Sequence, residues 1–382
     1  MSRDQYTLYG SYASYATAKT RSYLRKKNIP FVERVPGVTR FRQYVRQQSL
    51  NHRIPQIEAP DGTVIQDTPA IFDYLEARFP EPPGYPPGPR QQAVARLLEV
   101  LWDAELGRPA WHYRWNYMDE NYGFVGREFG RSFRPWGSDH ELDHYGNIIR
   151  ERMEGKRGAL GDDASSRPVF EALYTDMLAG LEAHFTVQPY LFGGLPSIAD
   201  HVLMGPLFGH LARDPVPATI MKQRASRVFR WTEHMNTPEI ISPELADAPV
   251  EYLADDEIPI TLLALLRQCL TDVGETITTT ASHYNEWVAD QGDLPPASVI
   301  EEGVDEPSLG SFEATIRGVA VSQTVNVHML WVLQRALDWF ATLNAADQNA
   351  CHALLNELGG PDLLDIGLER RLTRVDNCMA LD

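Results

Sequence analysis

Residues 8–14 read Leu8-Tyr9-Gly10-Ser11-Tyr12-Ala13-Ser14, the end of a predicted strand running directly into the start of a predicted helix. Backbone N–H groups and the helix dipole converge at such a junction and favour an anion. A hydroxyl from Ser14, Tyr12 or Tyr15 can donate a hydrogen bond to a thiolate there. Each unit by which a thiol pKa falls is worth about 1.4 kcal/mol. The same residues admit a purely structural reading, in which Ser11 or Ser14 caps the helix.

Outward from this junction the first 80 residues alternate between short β-like runs and helical runs, the pattern of an α/β domain. Strands are predicted over Tyr6 to Tyr9 and Phe31 to Val35, with helices over Ala16 to Lys27 and Thr39 to Gln48. Ile54 to Glu58 and Thr63 to Ile65 flank the turn cluster Pro60-Asp61-Gly62, so they form an antiparallel hairpin. Thr68 to Phe79 closes the unit as a helix, with Thr68 suited to the N-cap, Pro69 to the first helical position, and Ile71, Leu75 and Phe79 on one face.

Six prolines between Pro80 and Pro89 then break any regular element, which assigns residues 81–89 to a linker after a first domain over 1–80. Residues 90–240 carry helical patterns and no convincing strand, with Ala93, Leu97, Leu98 and Leu101 spaced for one buried stripe. The remaining residues, 241–382, read as a mainly helical extension. Its helices fall at Ile258 to Asp290, Leu330 to Leu343 and Gln348 to Leu358, and a hairpin is possible in sequence terms over Phe312 to Val325 around Gly318.

A chain of 382 residues with 43% apolar and 23% charged residues is globular and long enough for two domains or more. Its 52 acidic residues against 35 basic ones give a net charge of −17, which repels phosphate backbones and anionic lipid, so neither nucleic acid nor membrane is an expected partner. The opening residues lack an apolar core of signal-peptide length, and no run approaches the roughly 20 apolar residues that cross a bilayer, so a cytoplasmic location is expected. Cys269, Cys351 and Cys378 all lie late in the chain, offering neither a disulfide framework nor a Cys-x-x-Cys pair.

Two further stretches carry chemistry. In Asn51-His52-Arg53-Ile54-Pro55 a proline opens a strand. A cis bond there turns the Ile54 backbone outward to pair with a peptide-like ligand, beside the positive charge of His52 and Arg53 for a carboxylate. A plain edge proline is the structural alternative. In Gln66-Asp67-Thr68-Pro69-Ala70-Ile71 a carboxylate and a hydroxyl meet at a helix N-terminus, where Asp67 can take an ammonium group and Thr68 an α-carboxylate. An ordinary capped helix is the alternative there.

Taken together, the order and spacing of these three stretches resemble the N-terminal domain of the cytosolic glutathione transferases. The strand ending Tyr9-Gly10-Ser11, the helix through Lys19 and Arg21, and the Asn28-Ile29-Pro30-Phe31 exit resemble its opening. Ile54-Pro55 resembles the family's cis-proline loop, and Asp67-Thr68 stands where a Glu-Ser pair usually binds the γ-glutamyl group. Ser197 and Asp200, in Gly193-Gly194-Leu195-Pro196-Ser197-Ile198-Ala199-Asp200, form a capping box similar to that of the family's core helix, a structural role. The likeness spans about residues 5 to 240.

The resemblance implies a thioredoxin-like α/β domain, an all-α domain, glutathione as cosubstrate without a metal, and a homodimer. Ser14 falls at the catalytic position with Tyr12 as its rival, His52 and Arg53 at the glycine carboxylate, Ile54 and Pro55 at the cysteinyl backbone, and Asp67 and Thr68 at the γ-glutamyl end. It also implies transfer of the thiolate to a small apolar or aromatic electrophile by conjugation, dehalogenation, ether cleavage or isomerisation. The chain departs from the family in three places: Tyr15 follows Ser14 where serine-type members carry proline, Asp67 is one methylene shorter than glutamate, and the first domain has no cysteine for disulfide exchange. The competing reading is a non-catalytic scaffold that uses its extension to hold a partner.

Within the aromatic run Trp111, His112, Tyr113, Trp115 and Tyr117, Trp111 and Trp115 are candidates for the electrophile pocket, with core packing as the alternative. His140-Glu141-Leu142-Asp143-His144 fits His-Glu-x-x-His formally. The adjoining Asp139 and the internal Asp143 mark an exposed acidic helix start instead, and no metal is expected there.

Overall fold

The computed structural model describes residues 5–156, 161–300 and 308–382. Strands β1 (Tyr6–Tyr9) and β2 (Phe31–Arg34) are parallel and joined by helix α1 (Tyr15–Lys26). Strands β3 (Gln56–Glu58) and β4 (Val64–Gln66) form the antiparallel hairpin, β3 pairs antiparallel with β1, and the sheet order is β2-β1-β3-β4. Helix α3 (Thr68–Glu76) packs Ile71 and Leu75 into the core beneath the sheet. This is the thioredoxin-like α/β arrangement.

Local chemistry shifts several predicted boundaries. The helix expected over Thr39 to Gln48 is a widened π-type turn at Phe41–Val45 followed by the short α2 (Arg46–Ser49), which Leu50 ends at φ 51°. Phe41 and Val45 are the reason for the turn's position, since both are buried against Tyr9. The strand expected from Ile54 starts at Gln56, because Pro55 has no N–H for the ladder. Asp67, one residue earlier than expected, is the N-cap of α3, its carboxylate accepting the Thr68 N–H.

Helices α4 (Pro89–Asn116), α5 (Met118–Phe133), α6 (Asp139–Glu154), α7 (Arg167–His184), α8 (Ile198–Leu203), α9 (Pro215–Arg224) and α10 (Ser226–His234) make the all-α part. Ala93, Leu97, Leu98 and Leu101 of α4 are all buried. At the start of α8 the Ser197 Oγ accepts the Asp200 N–H, and Asp200 accepts the Ser197 N–H at 2.8 Å and the Leu191 N–H at 3.0 Å. Burial pushes the Asp200 carboxyl up to about 6.

The extension consists of α11 (Ile260–Gln291), the hairpin β5 (Ser308–Ile316) and β6 (Val319–Asn326), α12 (Val327–Phe340), α13 (Ala345–Leu358), and a terminal hairpin β7 (Leu372–Val375) and β8 (Cys378–Leu381). Leu265, Leu266, Leu333 and Leu355 share one hydrophobic core with α4 and α7. Among the described residues no helix is long and apolar enough to cross a membrane.

Candidate functional site

Gly10 lets the end of β1 run close against α1, since a Cβ there would lie 2.2 Å from Thr17 Cγ2. Ser14 is the N-cap of α1, its Oγ accepting the Thr17 N–H at 3.2 Å. The capping reading is therefore realised, and it uses an oxygen lone pair while the hydroxyl proton can still be donated. Ser11 is buried, with its Oγ 2.7 Å from that of Ser132 on α5. Tyr15 donates to Asp103 at 2.8 Å, and burial beside that carboxylate holds its pKa well above the ordinary tyrosine value. Its proton is committed away from the junction.

Tyr12 differs, with 44% of its surface exposed. The Arg21 guanidinium lies 4.0 Å from its ring centroid and that of Arg213 5.2 Å. Arg21 is buried, paired with Glu33 through two nitrogens, and donates to the Ser11 carbonyl at 3.2 Å. Buried Arg114 supports the loop from the helical side, donating to the Ala13 carbonyl at 2.8 Å and to the Gly209 carbonyl at 2.7 Å while paired with Asp214. Arg114 and Arg213 escape sequence reasoning because each acts across the fold with no local motif, on partners 85 to 101 residues away.

The Ile54–Pro55 bond is cis. The loop before it is braced by Gln56, whose side-chain amide donates to the Asn51 carbonyl at 3.0 Å and the Arg53 carbonyl at 2.9 Å. Neither backbone polar group of Ile54 is hydrogen-bonded among the described residues. His52 and Arg53 beside it are half-buried.

Asp67 sits at φ 82°. Its Oδ1 accepts the Thr68 N–H at 2.8 Å, and its Oδ2 lies 2.7 Å from His328 Nε2 on α12. Burial pushes its pKa up, but the opposing charges of His328 and Arg374 and the Thr68 N–H outweigh this and hold it well below the usual carboxylate range. The Thr68 hydroxyl is buried and donates to the Ala16 carbonyl at 3.2 Å, so it faces α1. Tyr12, Ser14, the cis bond and Asp67 thus lie on the loops at one end of the sheet: after β1, before β3 and after β4.

The other predicted positions lie on α4 and α6. Trp115 is buried and stacks on Phe129, with ring centroids 5.8 Å apart, while half-buried Trp111 lies 5.9 Å from Trp115. His140 and His144 are exposed at the start of α6, where Glu141 completes a capping box with Ser138 and Asp143 pairs with Arg127. Among the described residues the group spaced as metal ligands is His352, Asp362 and Asp365. Asp362 and Asp365 approach opposite ring nitrogens of His352, at 2.7 and 3.8 Å, as ordinary polar contacts.

Residues 8–83 match the family described as glutathione S-transferase, N-terminal domain. Comparison with curated proteins gives no match. Among solved structures, the chain is similar to a glutathione S-transferase of Methylobacterium radiotolerans in complex with glutathione sulfonate, at 17% identity over 67% of this chain and 99% of that one, TM-score 0.37. A β-etherase of a Sphingobium strain aligns at 18% identity over 63% and 97% of the two chains, TM-score 0.42. A glutathione transferase of Phanerochaete chrysosporium aligns at 17% over 63% and 99%, TM-score 0.44. With every TM-score below 0.5, the assignment rests on the match over residues 8–83 and on the β2-β1-β3-β4 sheet that those residues build. Residues 8–83 are thus a domain of the glutathione S-transferase N-terminal family.

Proposed function

We propose that the chain is a glutathione-dependent, transferase-like enzyme that lowers the pKa of the glutathione thiol and presents the thiolate to a small apolar or aromatic electrophile. The observation that carries the proposal is that exposed Tyr12, the capping hydroxyl of Ser14, the Ile54 peptide unit beside a cis-proline, without a hydrogen-bond partner among the described residues, and Asp67 at the start of α3 all lie on the loops at one end of the sheet. In this reading Asp67 accepts the γ-glutamyl ammonium, the Thr68 end of α3 supports the adjoining carboxylate, and Ile54 pairs with the cysteinyl backbone. His52 and Arg53 draw the glycine carboxylate.

The thiol proton leaves to solvent, and the O–H of Ser14 or Tyr12 donates to the resulting sulfur anion. Holding the thiolate beside the electrophile supplies the rest of the rate. Trp111 is the better placed of the two tryptophans to meet an electrophile, since Trp115 is buried. A cytoplasmic homodimer, divided into domains at residues 1–80 and 90–240 with the extension beyond, belongs to the same proposal.

The ultraviolet thiolate signal of bound glutathione, titrated against pH, tests the activating group. One of Ser14→Ala and Tyr12→Phe is expected to raise the thiol pKa by about one unit or more, the worth of one good hydrogen bond to an anion. An unchanged titration in both variants contradicts both assignments. The scaffold reading has its own support in the ion pair that already engages Asp67, and failure of glutathione to bind at all would favour it.

A further inference from the structure

Asp67 is met from the far end of the chain. Its Oδ2 lies 2.7 Å from His328 Nε2 and 3.9 Å from Arg374 Nη1. Arg374, on β7, also donates to the Gln66 carbonyl at 3.1 Å. The turn joining β7 to β8 is built on Asp376 and Asn377, with φ of 51° and 62°. It sets Asn377 against the cis-proline loop, where its side chain donates to the Ser49 carbonyl at 2.8 Å and its carbonyl accepts from Asn51 at 3.2 Å.

These contacts are polar, whereas α12 and the hairpin hold the rest of the molecule by apolar burial of Leu330, Leu333, Leu372 and Leu381. The polar contact can therefore open while the apolar anchor stays. An α-ammonium group seeks the same oxygen that His328 engages, and a second cation placed beside His328 and Arg374 meets like-charge repulsion. Ligand and tail compete for one carboxylate.

We propose that His328, which shares Asp67 with Arg374, is a specificity-determining residue that competes with the α-ammonium of an amino-acid ligand at Asp67. The C-terminal segment thereby sets the affinity of the site. This inference rests on the reading of the Asp67 end as a γ-glutamyl site.

Calorimetric titration of wild type, His328→Ala and Asp67→Asn with two ligands tests it: glutathione, and the analogue in which hydrogen replaces the γ-glutamyl amine. His328→Ala is expected to bind glutathione about fivefold tighter or more, a normal size for coupling between linked sites, and to bind the analogue as wild type does. Asp67→Asn is expected to bind glutathione more weakly. If His328→Ala binds glutathione no tighter while Asp67→Asn weakens it, the competition is refuted and the γ-glutamyl reading stands. If Asp67→Asn leaves glutathione binding unchanged, or no protein gives heat, the γ-glutamyl reading fails and takes the competition with it.

Hydrogen exchange of residues 374–378, the turn that carries the polar contacts, gives a second readout independent of any substitution. Faster exchange on adding glutathione to wild type is expected, and unchanged or slower exchange overturns the proposal.

Discussion

Glu105 lies on α4 at 0% exposure, with Gln268 donating to one oxygen at 3.2 Å. Burial, and the nearby charge of Asp272, push its pKa up to about 8. A carboxyl whose folded pKa is raised binds a proton in the folded state that the unfolded chain has released. Stability is therefore lost as pH rises from about 4.5 to about 8, and the loss is complete above that interval. Glu105→Gln removes the titration, so its melting temperature relative to wild type is expected to climb between about pH 5 and pH 9. A difference that stays constant with pH contradicts the assignment. At the ligand end, Asp67→Asn keeps a short polar side chain that tolerates positive φ but gives up the charge. It is expected to weaken glutathione roughly 10- to 100-fold, the 1.5–3 kcal/mol of a charge-assisted hydrogen bond, as read by calorimetry. Asp67 itself was legible in the sequence as a carboxylate at a helix N-terminus, although the cap was expected one residue later, at Thr68. Its partner was not: His328 stands 261 residues away, and no local pattern announces a contact made only by folding.

Short-range chemistry governs which elements could be read in advance. The β1-to-α1 junction and the hairpin around Asp61-Gly62 follow from turn residues and alternation, as does the hairpin at Arg317-Gly318, where φ is 49° and 80°. The β7–β8 hairpin was overlooked although Asp376-Asn377 carries the same left-handed signal, because strands of four residues offer little alternation to reinforce it. The π-type turn at Phe41–Val45 follows from burial against Tyr9, a tertiary demand that overrides helical periodicity. At α8 the box is local and fully buried, so Asp200→Ala leaves the Ser197 and Leu191 N–H groups without their acceptor. A loss of about 2–4 kcal/mol is expected by denaturant titration, and a loss below about 0.5 kcal/mol, the range of neutral surface changes, would contradict that role.

Over the whole molecule, the extension is a working part of the fold. The α11 residues Leu262, Leu265, Leu266 and Leu270 are buried in the same core as α4 and α7, and α12 reaches back to Asp67, Asp73 and Glu99. A fragment ending at residue 257 would expose that apolar face, and is expected to lose its near-ultraviolet circular dichroism and its cooperative melt. A fragment that melts sharply would show the first two parts to be self-sufficient. The extension also explains why a resemblance confined to about residues 5–240 points to a candidate site without describing the surroundings of Asp67, since His328 and Arg374 come from beyond it. The most direct measurement is a crystal structure of the protein grown with saturating glutathione. The expected result is the γ-glutamyl ammonium within hydrogen-bonding distance of Asp67, the cysteinyl backbone paired with Ile54, and the sulfur facing Tyr12 or Ser14. Glutathione bound away from Asp67 and Ile54, or an empty site at saturation, would contradict it.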